Sequence, residues 1–265
     1  MIWLTWRQHR IAILAAAAIA VLLVAALATL GSQTARSSRL VDVYQAIRTQ
    51  WNVMWFLLLL LPLVAGIFLG APLLASDFEC GTHRLLWTQG VTRMRWLVGK
   101  LAVAMTAILV CAAIVDVAAQ MAIPTQWSTP AAWTYANQWL FFDQGGLTLP
   151  AYVLFAVSLG VAAGAVVGRT LLAMVITGIV YAVWRAVVGA VIRPNYLPPL
   201  QGRGPIQQAV WVTSAHGNLN GGPITLYYQP PDRFWTFQGI EASIFLGLSL
   251  MLLALTTFVV LRRDA

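Results

Sequence analysis

Six predominantly apolar runs of about 20 residues constrain the fold more than any other feature of the chain. An α-helix of about 20 apolar residues is long enough to cross the hydrocarbon core of a bilayer, which is about 30 Å thick. Lipid offers no partner to backbone N–H and C=O groups, so each run is predicted to be a helix. The result is an all-α polytopic membrane protein with one transmembrane domain over residues 1–265. The predicted spans cover, approximately, residues 11–30, 51–75, 97–122, 150–168, 170–192 and 239–261.

The composition excludes an ordinary soluble protein. Hydrophobic residues make up 60% of the chain and charged residues 9%, against about 45–50% and about 25% in soluble domains. The formal net charge of +8 can indicate a nucleic-acid partner, but the basic residues are scattered in ones and twos and form no patch. We therefore expect membrane lipids around the chain and no nucleic-acid partner.

The first apolar run also resembles a secretory signal sequence. Arg7 and Arg10 precede it, and Ala26-Leu27-Ala28 has the small-residue pattern of a cleavage site. Its apolar core is longer than the roughly 7–15 residues of a signal peptide, and more spans follow, so we interpret it as a membrane anchor. Residues 1–10 are predicted to form a short interfacial helix; a charged beginning of the first span is the alternative.

The distribution of basic residues predicts the orientation. Six spans place both termini on one side of the membrane, and nine basic residues fall on that side against six on the other. The positive-inside rule then puts both termini, the 76–96 loop and the tight turn at Arg169 in the cytoplasm. The larger set is Arg7, Arg10, Arg84, Arg93, Arg95, Lys100, Arg169, Arg262 and Arg263; the smaller is Arg36, Arg39, Arg48, Arg193, Arg203 and Arg233.

The segment 193–238 is predicted to be an extracellular loop with its own structure. Ala209–Thr213 and Ile224–Tyr228 have the composition of short strands around the turn-rich His216–Gly222, which predicts a hairpin. We expect a small ordered cap between the fifth and sixth spans, with partly re-entrant pieces near Leu197–Leu200. Whether the cap is a moving lid or a passive cover stays open at this level.

Small residues recur at four-residue spacing in two spans. Gly160, Gly164 and Gly168 lie in or after the fourth span, and Gly66 and Gly70 lie in the second. Small residues in register allow helix backbones to approach closely inside a membrane. These glycines therefore predict close helix packing.

The most informative stretch is the loop before the third span. Ser76 and Glu79 have the spacing of a capping box, and Ser76 or Thr82 can begin a short amphipathic helix with Leu85 and Leu86 on its apolar face. Gly90 can end this helix, and Thr92 can cap the next span. A short helix at the cytoplasmic surface of the membrane is a candidate binding site for a cytoplasmic partner.

This loop resembles the permeases of the ABC-2 type, the membrane subunits of ATP-binding-cassette exporters. The resemblance rests on an acidic residue followed by Gly-Thr, a Leu-Leu pair, a Val-Thr-Arg turn and a Gly-Lys pair that opens the third span. Two further segments, Thr5–His9 and Tyr228–Glu241, are similar to those of actinobacterial members and support it. It implies a coupling helix that seats in a groove of a nucleotide-binding ATPase subunit. The residues it implicates are Glu79, Gly81, Thr82, His83, Arg84, Leu85, Leu86 and Trp87.

The same resemblance implies the partners and the location. Two ATPase subunits are expected beneath two permeases, which are either two copies of this chain or this chain and a homologue, in the plasma membrane of a bacterium. The chain itself contains no P-loop around Gly99-Lys100, because Leu101 follows the lysine and Met94 stands where the first glycine is needed. ATP and Mg²⁺ are thus expected on the partner, with no cofactor, no catalytic residue and no metal site in this chain.

Besides Lys100 near the inner end of the third span, three charges fall inside the predicted spans. Asp116 follows Lys100 by 16 residues and Arg185 follows Arg169 by 16, so both lie roughly 24 Å from the inner interface. Their equal depth predicts an ion pair between the third and fifth spans; separate contact with water is the alternative. Glu241 is a candidate outer gate that contacts substrate, Arg193 or Arg233, although an acid favoured by the helix dipole at a helix start is the simpler interpretation.

The function that the resemblance implies is export of a hydrophobic or amphiphilic compound, such as an antibiotic, a drug or a lipid. A non-transporting sensor or immunity scaffold in an ABC-like complex is the main alternative. An intramembrane hydrolase is disfavoured because Ser158 lacks a glycine two residues before it and no histidine shares its depth. An ion channel is disfavoured because no filter-like loop or ring of charge is visible. Cys80 and Cys111 lie too far apart to form a disulfide.

Overall fold

The computed structural model describes residues 2–36, 41–82, 92–122, 142–203, 211–216 and 225–263. Within these ranges the chain is mostly helical, with a small β-sheet near one end of a helical bundle. The helices are α1 (Ile2–Arg36), α2 (Val41–Ala65), α3 (Ala71–Glu79), α4 (Arg93–Ala122), α5 (Thr148–Val167), α6 (Thr170–Val187) and α7 (Phe234–Arg262).

The prediction of six apolar spans is confirmed. Two of them are composite: a π-turn (Gly66–Gly70) joins α2 to α3, and a second π-turn (Val188–Ile192) followed by a 3₁₀ turn (Arg193–Asn195) extends α6. Several spans run a few residues past the predicted bounds, because helical hydrogen bonding continues into the polar flanks of an apolar run. The helices long and apolar enough to cross a membrane cover Ile13–Gln33, Gln50–Glu79, Arg93–Ala122, Thr148–Val167, Thr170–Asn195 and Phe234–Arg262.

The interfacial helix predicted for residues 1–10 is not a separate element. The first helix runs without a break from Ile2 to Arg36. The sequence contains no proline and no glycine before Gly31, so nothing interrupts the helix where it passes from its charged beginning into the apolar run. The alternative interpretation, a charged start of the first span, is the one that fits the structure.

Helix α5 is the centre of the bundle. Of its span, 78% of residues are buried inside the protein, against 17–39% in the other spans, and it packs against α2, α3, α4, α6 and α7. The outer faces of the surrounding helices carry exposed apolar side chains, such as Leu171 (79% exposed) and Leu250 (68% exposed). An apolar exterior of this kind is stable in lipid and unstable in water.

The glycine spacing predicted close packing, and the structure confirms it for all of these glycines except Gly168. A Cβ atom added at Gly160 would lie 2.6 Å from the backbone nitrogen of Ala71, and one added at Gly164 would lie 2.6 Å from the carbonyl oxygen of Ala71. In the opposite direction, a Cβ at Gly66 would lie 2.6 Å from the carbonyl oxygen of Ala156. Backbone therefore meets backbone where α5 crosses the first π-turn.

Antiparallel helices give the bundle two distinct ends. The end of α3, the beginning of α4, the α5–α6 turn at Gly168 and the end of α7 contact one another at what we call the termini end. Gly31 packs on Ala122, so α1 runs parallel to α4 and begins at this end too. Gly168 has φ +66°, a left-handed conformation that ends α5 and lets α6 start two residues later.

The opposite end, called the sheet end, carries an antiparallel three-stranded sheet. Its strands are β1 (Leu200–Arg203), β2 (Trp211–His216) and β3 (Thr225–Gln229), in the order β1-β3-β2. The two strands predicted at 209–213 and 224–228 correspond to β2 and β3, shifted by a few residues along the chain. The segment near Leu197–Leu200, for which partly re-entrant pieces were predicted, leads into β1, which pairs with β3.

Candidate functional site

Six buried or half-buried polar side chains meet at the sheet end and form what we call the charge cluster. They come from α5, α6, α7, the 3₁₀ turn and the segment 142–147. The side chain of Arg193 is 1% exposed and that of Glu241 is 0% exposed, so both charges are fully removed from solvent. The members are Asp143, Tyr152, Arg185, Arg193, Tyr196 and Glu241.

Arg193 and Glu241 form the core of this cluster. The guanidinium donates from Nε to Glu241 Oε2 at 2.7 Å and from Nη2 to Glu241 Oε1 at 2.6 Å. The same Nη2 donates to Asp143 Oδ1 at 2.5 Å, and the guanidinium lies over the ring of Phe142, 4.3 Å from its centroid. Two parallel hydrogen bonds between an arginine and a carboxylate are the strongest geometry available to such a pair.

Arg185 joins the cluster from the side of α6. Its Nη2 pairs with Asp143 Oδ2, and its Nη1 lies 3.7 Å from Glu241 Oε1. Its guanidinium also stacks over the ring of Tyr152, 4.4 Å from the centroid. Each acid is therefore shared between both arginines, and the four charges sum to zero.

Two tyrosines supply further donors to the acids. Tyr152 donates to Glu241 Oε1 at 2.6 Å and lies 3.3 Å from Asp143 Oδ1, and Tyr196 donates to Glu241 Oε2 at 3.2 Å. Burial, together with the negative charge of Glu241, raises the pKa of the Tyr196 hydroxyl. The hydroxyl therefore stays protonated and acts as a donor to the carboxylate.

Gln238 holds the segment that carries Asp143 in place. Its Oε1 accepts from the backbone N–H groups of Leu147 and Thr148 at 3.0 and 3.2 Å, and its Nε2 donates to the carbonyl of Phe142 at 2.7 Å. It thereby satisfies free N–H groups at the start of α5. Gln144 donates to the carbonyl of Trp55 at 2.6 Å, which ties the same segment to α2.

The Asp116–Arg185 pair predicted from equal depth is wrong. Arg185 pairs with Asp143 and approaches Glu241, whereas Asp116 accepts a hydrogen bond from Gln120 Nε2 at 2.7 Å. The reason is lateral position: α5 packs against both α4 and α6 and lies between them. The depth of a residue along the bundle axis follows from its position in the sequence. The position of its helix around that axis does not.

Of the contacts considered for Glu241, the one with Arg193 is present, and the preferred interpretation as a helix-start acid is wrong. It lies about two turns inside α7 and points into the bundle, with a side chain that is 0% exposed. Asp143, Tyr152 and Tyr196 were not predicted as members of the cluster. One signal existed for Asp143, since it is the only charged residue between Asp116 and Arg169 and it directly precedes an apolar run.

The predicted coupling residues fall partly outside the described residues. His83, Arg84, Leu85, Leu86 and Trp87 lie outside them. Three others lie at the termini end: Glu79 accepts from the backbone N–H of Thr170 at 2.9 Å, Gly81 has φ +69°, and Thr82 Oγ1 donates to Asp77 Oδ1 at 3.2 Å. Glu79 thus caps the beginning of α6 from a different span.

The two capping predictions had opposite outcomes. Ser76 does not begin a helix: it lies inside α3, and its hydroxyl donates to the carbonyl of Pro72 at 2.7 Å, since α3 continues to Glu79. Thr92 does cap the next span, because its Oγ1 accepts from the backbone N–H of Arg95 at 3.3 Å.

Side-chain contacts join the two helices that flank the 80–92 segment. Lys100 is 1% exposed and pairs with Asp77, and it also donates to the carbonyl of Leu73 at 3.2 Å. Phe78 and Trp96 stack edge to face beside this pair, with centroids 6.0 Å apart. The lysine of the predicted Gly-Lys pair therefore anchors the beginning of α4 to the end of α3.

Arginines connect the same region to α5 and α7. Arg93 Nη1 donates to the carbonyl of Leu261 at 3.0 Å and to that of Arg263. Arg263 donates to the carbonyl of Ala165 at 2.5 Å and lies over the ring of Phe78, 4.1 Å from its centroid. Cationic side chains at the ends of α5 and α7 satisfy carbonyls that the helices leave free.

The described residues contain no candidate metal cluster. Among the described residues, no group of three or more His, Cys, Asp or Glu side chains could hold a metal ion, and Cys80 and Cys111 are both free thiols. Ser158 is fully buried in α5, and its hydroxyl has no hydrogen-bond partner in the described part of the chain. The observed arrangement fixes helices to one another.

A model of one protein family matches most of the chain. The match to the family described as ABC-2 membrane transporter related covers residues 8–193, which include the first four spans, nearly all of the fifth, the whole 80–92 segment and three of the four charges in the cluster. No curated protein and no solved structure matches the chain. The chain belongs to the family of ABC-2 related membrane transporters and is a multi-pass, permease-like membrane protein.

Proposed function

We propose that the protein is the permease subunit of an ATP-driven exporter in the plasma membrane of a bacterium, where it forms the path for a hydrophobic or amphiphilic compound. A separate nucleotide-binding subunit binds ATP and Mg²⁺. The complete transporter contains two permeases, either two copies of this chain or this chain and a homologue, above two ATPase subunits. The family supports this proposal, because ABC-2 permeases generally work with a nucleotide-binding ATPase.

The observation that carries the proposal is the set of contacts at the ends of the 80–92 segment. Glu79 binds the first turn of α6, Arg93 binds the last turn of α7, and Lys100 joins α3 to α4. A force applied to this segment by a cytoplasmic partner reaches the ends of these helices directly. The segment is therefore suited to transmit the two states of an ATPase to the bundle.

The charge cluster lies at the opposite end of the same helices. It joins α5, α6 and α7 through Tyr152, Arg185, Arg193 and Glu241. We interpret it as the outer latch of the transporter, which holds these helices together until the termini end moves. This interpretation replaces the idea of Glu241 as a gate that contacts substrate, since its carboxylate oxygens are occupied by arginine and tyrosine donors.

The partner ATPase provides the direct test. The chain is co-expressed with a candidate nucleotide-binding subunit, and ATP hydrolysis is measured in nanodiscs. Arg84→Ala and the double variant Leu85→Ala, Leu86→Ala are expected to reduce copurification and to lower stimulated hydrolysis about tenfold, as for loss of anchor residues at an interface. Leu171→Ala, which removes a leucine from the exposed face of α6, is the matched control.

Two outcomes would contradict the proposal. One is normal copurification and hydrolysis by the 84–86 variants, which removes the coupling assignment. The other is ATP hydrolysis without movement of any compound in a panel of hydrophobic and amphiphilic molecules, which favours the non-transporting sensor or immunity scaffold.

A further inference from the structure

An apolar pocket of about 320 Å³ opens on the side of the bundle between α1, α2, α4 and α5. Its wall is built entirely of aliphatic side chains, Phe68 and Cys111. Ile19 and Phe68, on the rim, are 45% and 59% exposed, so the pocket faces the lipid side of the helices. Its volume lies at the lower end of the range of small-molecule sites, about 300–1,000 Å³.

Asp116 lies one helical turn beyond this pocket. It follows Ile108 and Ala112, both in the pocket wall, at spacings of eight and four residues, and it directly follows Val115, which also lines the pocket. Residues at this spacing share one face of a helix, and side chains tilt towards the helix N-terminus. Asp116 is therefore next to the sheet-end wall of the pocket, and its carboxylate lies beside Gln120 and the backbone of Gly146.

Asp116 also differs from every other buried acid in the described part of the chain. Asp77, Asp143 and Glu241 each pair with a lysine or an arginine. Asp116 is 5% exposed and receives a hydrogen bond from Gln120, but none of the described basic side chains lies within 4.0 Å of it. A carboxylate inside a membrane span without a countercharge is costly and is relieved by a cation.

We propose that this pocket and Asp116 form a binding site for lipophilic cations, compounds with an apolar body and one positive charge. The apolar body occupies the pocket and the cation lies against the Asp116 carboxylate, with Gln120 holding that carboxylate in place. This proposal rests on the proposed transport function and narrows its substrate class. The charge cluster takes no part in the site, since its acids are already neutralised.

Binding of tetraphenylphosphonium to the purified full-length chain in nanodiscs tests the proposal without any ATPase. Triphenylphosphine oxide, an apolar molecule of similar shape without charge, is the comparison probe. We expect saturable binding of the cation, weakened about tenfold or more by Asp116→Asn, which removes the charge and keeps the shape. Asp232→Asn, the same change at an exposed acid of the sheet end, is the control and leaves binding unchanged.

Two further variants separate the parts of the site. Ala16→Phe, which fills the pocket from α1, is expected to weaken both probes, whereas Asp116→Asn weakens the cation alone. In a Cys80→Ser background, Cys111 in the pocket wall is the remaining thiol, and tetraphenylphosphonium is expected to protect it from N-ethylmaleimide. That protection is lost when Asp116→Asn is added.

Three results would overturn the proposal. These are equal affinity of wild type and Asp116→Asn for the cation, an equal loss for both probes in Asp116→Asn, and efficient Cys111–Cys111 cross-linking between two copies, which would show the pocket closed by a second chain. Because ATP plays no part in these measurements, failure of the coupling test leaves the binding result standing, and the converse also holds.

Discussion

A buried arginine is stable only when its charge is compensated, and Arg193 shows how this chain meets that requirement. It has two acids within hydrogen-bonding distance and one aromatic ring beneath its guanidinium. Arg185 shares both acids. Because each charge in the cluster is neutralised by the others, removing one charged side chain leaves a buried charge without compensation.

Replacing one acid of the cluster is therefore expected to destabilise the protein strongly. Glu241→Gln and Asp143→Asn each keep the shape of the side chain and leave net positive charge inside the bundle, at an expected cost of about 3–5 kcal/mol. A lower midpoint of thermal unfolding in nanodiscs, followed by tryptophan fluorescence, is the measurement. Asp232→Asn, at an exposed acid of the sheet end, is the control.

A double-mutant cycle checks the pairing itself. The cycle of Asp143 with Arg185 is expected to show strong coupling, and the cycle of Asp116 with Arg185 is expected to show coupling near zero. The opposite result would restore the pairing that equal depth predicts.

Single residues also show where sequence reasoning reaches its limit. Thr92 was noticed for its capping position, and it acts at short range on Arg95. Lys100 was noticed for its place in the Gly-Lys pair, but its partners lie on another helix, which the pair itself does not reveal. Asp143 and Tyr152 are nine residues apart, but Tyr152 reaches Glu241 only after α5 packs against α7. No periodicity in the sequence records which faces of separate helices point at one another.

At the scale of elements, close approach of backbones fixes α5 against the second span. The glycines of the first π-turn face the glycines of α5, and no side chain separates them. Spacing alone predicted which residues permit this contact. It did not predict that the contact falls on a π-turn, because the width of a helical turn depends on packing that the local sequence does not specify.

Gly160→Ala is expected to push α5 away from the π-turn. The added methyl group meets backbone atoms that cannot rotate aside, so overpacking is expected to cost about 1–3 kcal/mol. Gly247→Ala is the matched control, since a Cβ at Gly247 meets nothing within 4 Å and alanine favours the helix by up to about 1 kcal/mol. The two variants should shift the thermal unfolding midpoint in opposite directions; equal shifts would show that the contact is not tight.

For the whole molecule, the arrangement of helix ends separates a termini end from a sheet end. The contacts of Glu79, Arg93 and Arg263 all lie at the first, and the sheet and charge cluster lie at the second. The number of spans follows from hydropathy alone. Their lateral order around α5 does not, because all six apolar runs are similar in length and composition.

Orientation in the membrane is tested by the reactivity of thiols. In a Cys111→Ala background, exposed Cys80 is expected to react with a membrane-impermeant maleimide only after the cell is opened, because basic residues concentrate on its side. With Cys80→Ser and Cys111→Ala combined, Gln201→Cys on β1 is expected to react in intact cells. Labelling of Cys80 in intact cells would invert the orientation.

The second π-turn sets the phase between the two arginines of the cluster. Arg185 and Arg193 are eight residues apart, whereas two turns of α-helix take about seven, so on a plain helix the second arginine would be rotated away by about 80°. The π-turn at Val188–Ile192 absorbs the additional residue, because its hydrogen bonds close over five residues and not four. Deleting Gly189 should therefore leave both arginines facing the acids. Deleting Val180 from the regular helix should instead rotate both arginines relative to the beginning of α6, which Glu79 holds. We therefore expect this short turn to tolerate the insertion or deletion of a residue. The fifth span can change length there and keep the ion pairs of the charge cluster.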